Sequence, residues 1–412
     1  MMRGRGVFYL LVGGTLLFFT ACAVNGPVSA SGISLKPEEL SQAEQRVVQE
    51  QIPEPLKPYY VALYSEGKQN FVLHAMRGGL AALKLGYFDL AKKTFDQAIR
   101  EVEALQEGAA QAERAKSKFV GEKEKWFKGE SYERAALYFY RGMLYLRDED
   151  YGNAAACFRR SQLQDITSED EKGFAGDWTS DELGLALASY YNGYPEDAEN
   201  ALKRAEKFPS KQGEVPAPTP TTNVLVLMSV GNGPEKYRAG KYREQLKFKE
   251  NAPAIRELEV LVGDKKTTFP VAENLYVQAT TRGARQIDCI LGDKASFKED
   301  TANAAVALGA GALVASQVDS TGIATGVLAL AALGSAIFSS ATNPEADIRA
   351  WSNLPHSIYL LNLTVPSDAP TIKITALDAQ KNVLDAVTLD NVLSDNKKLH
   401  VFFVPGDANF NH

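Results

Sequence analysis

The chain has 412 residues, 45 Lys and Arg against 51 Asp and Glu, a net charge of −6 and a 45% apolar composition. Two or three domains are expected at this length. The excess of acid excludes generic nucleic-acid binding, which runs on basic patches, so no nucleic-acid partner is expected.

Residues 1–21 read as a signal peptide. Arg3 and Arg5 form a basic start, an apolar stretch runs from Val7, and Leu16-Leu17-Phe18-Phe19-Thr20-Ala21 ends in small residues before Cys22. The apolar run is short for a spanning helix. A cysteine at this place resembles the bacterial lipobox, with Phe19 where leucine is usual. The resemblance implies cleavage before Cys22, a diacylglycerol on its sulfur and acylation, typically by palmitate, of the new amine. Loss of Arg3 and Arg5 takes the net charge from −6 to −8. Ala23 follows Cys22 where an aspartate often retains lipoproteins at the inner membrane. The implied address is therefore the outer membrane, on its periplasmic side. Residues 22–37 are small and polar and read as a tether.

Residues 38–208 carry helical periodicity without strand-like alternation. Three sets of small and large residues repeat there: Gly79, Gly86, Phe88, Ala91, Phe95 and Ala98; Tyr138, Gly142, Tyr145, Tyr151, Ala154 and Phe158; Leu185, Ala186, Gly193, Ala198, Leu202 and Ala205. Small residues suit the places where paired helices touch, and large ones fill the groove between them. This spacing resembles tetratricopeptide (TPR) repeats. Phe95 to Phe158 is 63 residues and Phe158 to Leu202 is 44, against a usual period of about 34, so insertions are expected. The charged run 113–128 is expected as an extended helix or exposed connector.

Pro209, Pro216, Pro218 and Pro220 mark residues 209–222 as a semi-rigid linker. Beyond it, residues 223–412 read as a β-rich, sandwich-like domain, with antiparallel strands expected at 224–228, 275–279, 287–291, 358–365, 372–376, 383–389 and 399–404. Pro366-Ser367-Asp368 and residues 378–382 are expected as hairpin connections. The fold class is α+β. A Gly/Ala-rich insertion at 301–344, whose one charge is Asp319, is expected as an apolar helical hairpin with a Gly322/Gly326 pair. One arm, 322–338, would be about 26 Å long, just short of a ~30 Å hydrocarbon core. It could pack on protein, dip into a membrane or drive self-association.

The enzyme motifs fail: GxSxG, HExxH and a phosphate-binding loop are all missing. Gly231-Asn232-Gly233-Pro234 lacks the third glycine of a dinucleotide site and reads as a turn. His74, His356, His400 and His412 have no shared metal spacing, and Cys157 and Cys289 read as separate free thiols. No cofactor, metal or catalytic residue is assigned. Residues 236–249 form a basic stretch (Lys236, Arg238, Lys241, Arg243, Lys247, Lys249), read as a solvated loop or edge strand, or as a contact for headgroups or an acidic partner.

Asp347, Arg349 and Trp351 form an Asp-x-Arg-x-Trp-x-x-Leu-Pro stretch. Arg349 is expected to pair with Asp347 or a backbone carbonyl, and Trp351 to cap the base of the hairpin, so the three are a candidate partner-contact or structural motif. The order of lipobox, repeats, β domain, apolar insert and this motif resembles a family of uncharacterised bacterial envelope lipoproteins. That resemblance carries no activity with it. The expected function is a non-enzymatic interaction scaffold for cell-envelope proteins, held to the membrane by its N-terminal lipid. The alternatives are an envelope enzyme or carbohydrate-binding protein using the β domain, or a membrane-active, homo-oligomerising component using the hairpin.

Overall fold

The computed structural model describes residues 37–116, 126–166, 177–207, 213–280 and 345–406. The signal peptide, Cys22, most of the tether, the 287–291 strand, Cys289 and the 301–344 hairpin lie outside the described residues. The fold is α+β, with helices first and sheets after.

The helices are α1 (Pro37–Gln49), α2 (Lys57–Ser65), α3 (Phe71–Lys84), α4 (Phe88–Lys116), α5 (Ser131–Arg147), α6 (Tyr151–Ile166), α7 (Thr179–Tyr191) and α8 (Pro195–Lys207). Three hairpins, α3/α4, α5/α6 and α7/α8, turn in the same way. Gly86, Glu149 and Gly193 each take the left-handed conformation, at φ 80°, 59° and 79°. In each, the next residue closes a turn onto Ala82, Tyr145 or Ser189, and its own carbonyl accepts from Ala91, Ala154 or Ala198. These positions are offset by 63 and then 44 residues, the offsets of Phe95, Phe158 and Leu202.

Close approach explains the small residues. A Cβ on Gly79 would sit 2.6 Å from the Phe95 ring. On Gly142 and Gly184 it would sit 2.8 and 2.6 Å from the Phe158 ring. Phe158, fully buried on α6, is thus held between glycines of α5 and α7 and cannot retreat from one without meeting the other. Gly184→Val should therefore lower stability by about 1–3 kcal/mol through overpacking. A urea midpoint equal to that of wild type would contradict the contact.

The β elements follow as β1 (Val224–Val230), β2 (Glu235–Ala239), β3 (Gln245–Lys249), β4 (Glu257–Val262), β5 (Lys265–Pro270), β6 (Glu273–Asn274), a short helix α9 (Leu275–Thr280), β7 (Ser357–Leu363), β8 (Ile372–Leu377), β9 (Val383–Leu389) and β10 (His400–Pro405). One sheet has the order β10-β1-β7-β6, a second β5-β4-β8-β9, and β2-β3 is a separate hairpin. The strands are not all antiparallel as expected, because β1 and β10 run parallel. The 366–368 turn crosses from one sheet to the other rather than closing a hairpin. Residues 378–382 do close the β8/β9 hairpin, with Asp378 accepting from the backbone of Gln380 and Asn382.

Every residue of β1 and β7 is buried. Alternation divides them between two cores. Val224, Val226, Met228, Tyr359 and Leu361 meet Leu258, Val260, Ile372 and Ile374 of the second sheet. Leu225, Leu227, Ile358 and Leu360 join the helical core with Phe95, Phe139 and Tyr140. The molecule is layered as helices, first sheet, second sheet, and its helical and β halves share one core. Residues 213–222 are no open spacer: Val215 is buried, Asn362 donates to the Pro216 carbonyl, and Tyr191 donates to the Thr222 carbonyl. Among the described residues no helix is long and apolar enough to cross a membrane.

Candidate functional site

Residues 345–356 form an irregular strap between the helical face and the β2-β3 hairpin. Strand alternation sends Lys236, Arg238, Leu246 and Phe248 inward and leaves Tyr237 and Lys247 outside. Arg238 donates to the Ala346 carbonyl (2.7 Å), the Ala346 amide donates to the Arg243 carbonyl, and Phe248 meets Tyr132 edge-on. The basic stretch is therefore a two-stranded edge hairpin with Lys241 and Arg243 in its turn, and it is not a continuous cationic surface, since Lys236 and Arg238 face the strap.

The motif residues lie on this strap. Arg349 is buried, and its guanidinium pairs with Asp347 (Nη2 to Oδ2, 2.6 Å) and donates to Asn70 Oδ1 (2.8 Å). Trp351 is 2% exposed and packs against Phe95 and Tyr140 at centroid separations of 6.2 and 6.1 Å. Asp347, Arg349 and Trp351 share one strap, but only the first two touch through their polar groups.

Helical side chains hold the strap by its backbone. Arg77 on α3 donates twice to the Ala350 carbonyl (3.1 and 2.7 Å), and its own carbonyl accepts from Asn353 Nδ2 (3.0 Å). Burial lowers the pKa of the Arg77 guanidinium, while Glu66 and Glu133 pull it back up. Glu133, in the first turn of α5, is completely buried. Its Oε1 accepts from the Trp351 amide (2.8 Å), and its Oε2 accepts from the Glu130 amide and Lys236 Nζ, each at 2.8 Å. Lys236 also donates to the Arg349 carbonyl (3.0 Å). Beside the strap, His74 pairs with Glu66 (3.0 Å), both buried. His74 is thus held inside the helical packing. The charges in this network are balanced, and its charged groups are engaged by backbone groups or by one another.

The chain matches no protein-family model, no curated protein and no solved structure. The chemistry therefore has to be read from the residues themselves. Ser357 Oγ lies 2.8 Å from His356 Nδ1, and Glu250 Oε1 lies 3.2 Å from His356 Nε2. This has the order of a hydrolytic triad, yet Ser357 and His356 are 2% and 0% exposed. Burial also lowers the pKa of His356. A cleft of about 350 Å³ opens beside α1, lined by Glu39, Gln42, Ala43, Arg46, Tyr64, Ser65 and Gly67, and it touches none of the motif residues.

A second buried polar group joins α7 to the β half. Glu273 accepts from Ser180 Oγ (3.1 Å) and from Gln278 Nε2 (2.6 Å). Burial pushes its carboxyl up to about 8. Asp181 is fully buried, and burial, joined by the charges of Glu273, Asp165 and Glu182, raises its pKa well above the usual range. Ser161 donates to the Ala135 carbonyl (2.8 Å), so the Asp181 oxygens have no hydrogen-bond partner. Cys157 is a free thiol pushed up by burial to about 12, which makes it a poor nucleophile.

Sequence reasoning found the strap but missed Arg77 and Glu133, and it named Lys236 without its buried partner. The signal for Glu133 was local: a glutamate three residues after the start of a helix, the place of a capping carboxylate. Its partners lie more than 100 residues away in the chain, at Lys236 and Trp351, and no spacing rule reaches that far.

Proposed function

We propose that this chain is a lipid-anchored envelope protein of the outer membrane's periplasmic face, working as a non-enzymatic scaffold built on tetratricopeptide-like repeats. One observation carries the reading. The faces of α3 and α5 grip an extended, irregular segment through its backbone, by Arg77 on the Ala350 carbonyl and Glu133 on the Trp351 amide. Repeat arrays stack helix pairs into surfaces that hold extended partners. The equal internal spacing of the three hairpins, with glycine facing a large ring in two of them, supports the repeat assignment. The Ser357-His356-Glu250 set has no exposed nucleophile, which also favours the scaffold reading over a hydrolase.

Crosslinking in intact envelopes followed by pull-down tests the scaffold and names its partner. A specific envelope protein recovered with wild type supports the reading, and recovery of the chain alone contradicts it. The anchor is tested separately. Cys22→Ser should yield an unprocessed or soluble species, because acyl chains at that sulfur and amine give the durable attachment. Membrane fractionation and lipid labelling unchanged from wild type would remove the anchor from the proposal.

A further inference from the structure

The helical face that holds the strap has the features of a receptor. Its contacts are with main-chain atoms and one large anchor: two hydrogen bonds from Arg77 to a carbonyl, one from an amide to Glu133, and an aromatic seat for Trp351. Asn70 adds side-chain selectivity by accepting from Arg349. Backbone contacts give affinity for any extended chain, and a buried aromatic anchor gives specificity.

The strap also fits this seat imperfectly. The indole N–H of Trp351 and Oδ1 of Asn353 are buried without a hydrogen-bond partner. A buried polar group left unmet opposes the state that buries it. Displacing the strap returns both atoms to water, so a competing peptide that leaves no such atom unmet would outcompete the strap at equal contact elsewhere.

We infer that the α3/α5 face is a peptide-binding site occupied in cis by residues 345–354, and that its ligand in trans is an extended peptide of Asp-x-Arg-x-Trp chemistry. This rests on the scaffold reading and names the class of its partner. A segment tethered beside its site acts at an effective concentration of about 1 mM, so a free peptide of similar intrinsic affinity is excluded at micromolar concentrations. The wild-type site is therefore closed to weak ligands and open to strong ones.

The test uses a fluorescent peptide carrying the sequence of residues 345–354, titrated into the full-length protein by anisotropy. Wild type should show no binding at micromolar peptide. Trp351→Ala, which empties the seat in cis, should bind at least tenfold more tightly. Adding Arg77→Ala should abolish that gain, as should replacing tryptophan by alanine in the peptide. Asp347→Ala is the second variant. It weakens the strap at its partly exposed carboxylate, leaves the seat filled, and should give a smaller gain in the same direction. Circular dichroism reports whether each variant is folded. Folded variants that bind no better than wild type overturn the inference, as does equal binding of the peptide lacking tryptophan. Failure of both variants to fold also overturns it, because the strap is then an obligatory part of the core. Peptide binding with an empty envelope pull-down supports the receptor and overturns the scaffold reading. A captured envelope partner without the peptide gain does the reverse.

Discussion

Glu133→Leu should destabilise the fold by about 3–5 kcal/mol, the cost of stranding a buried cation. Glu133 and Lys236 have side chains 1% exposed and lie 2.8 Å apart. Removing the carboxylate leaves the ammonium facing the Arg349 carbonyl and takes a carboxylate acceptor from the amides of Glu130 and Trp351. The loss therefore exceeds that of an ordinary surface pair, which contributes about 0–1 kcal/mol. Lys236→Met should cost less, because the remaining carboxylate keeps both amide donors. The double variant should recover much of the loss, since replacing both charges by apolar groups of similar size is often neutral. It should still fall short of wild type by about 1–3 kcal/mol, the penalty for the buried Trp351 amide losing its acceptor. Guanidinium midpoints for the four proteins close the cycle. If Glu133→Leu unfolds within about 0.5 kcal/mol of wild type, the range of an ordinary surface change, then Glu133 does not tie the strap to the helices.

Local pattern and long-range pairing were unequally visible in the sequence. The helical hairpins could be read because a glycine facing a ring is a short-range signature, as with Gly142 and Phe158. β1 and β7 could be read because strands buried on both faces form unbroken apolar runs. Residues 275–279 misled for the opposite reason. Leu275, Tyr276 and Val277 have strand-like composition, yet they open the helix α9. Asn274 decides the matter: its Oδ1 accepts from the amides of Tyr276 (3.0 Å) and Val277 (3.2 Å), as a helix cap does. The cap was present in the sequence, but a short apolar run cannot by itself separate strand from helix. The charges of β2 and β3 left a loop and an edge strand both open, and hid which face turns inward. Lys236 reads as solvated until Glu133 is placed against it, and only the folded chain does that. The prolines of 209–222 suggested an open spacer because composition does not show that Asn362 of β7 reaches the Pro216 carbonyl.

Glu273→Gln should raise stability at mildly alkaline pH and flatten its dependence on pH. Glu273 and Asp181 are buried acids whose pKa values are raised, chiefly by burial. The fold thus prefers them neutral, whereas the unfolded chain ionises Glu273 above 4.5 and Asp181 above 3.8. Their contribution to stability is fully present below those unfolded values. For Glu273 it declines as pH rises from 4.5 to about 8 and is level beyond. The slope is at most about 1.4 kcal/mol per pH unit for each group, with the unfolded state holding fewer protons than the native one. Groups of opposite sign act elsewhere. Glu50 and Glu149 have lowered pKa values, so their contribution is lost only as pH falls below the ordinary carboxylate range. Neutral His356 loses stability as pH falls below its ordinary value of 6.5. Between 6.5 and about 8 Glu273 therefore makes stability fall as pH rises. Wild type should melt at a progressively lower temperature across that interval. Glu273→Gln keeps an acceptor for Gln278, holds the site neutral at every pH, and should melt above wild type at its upper end while matching it near about pH 5. Asp181→Asn should act in the same direction. Parallel melting curves for wild type and Glu273→Gln across the interval would mean that the Glu273 carboxylate stays ionised in the fold, and that water or a cation reaches the α7/β6 junction.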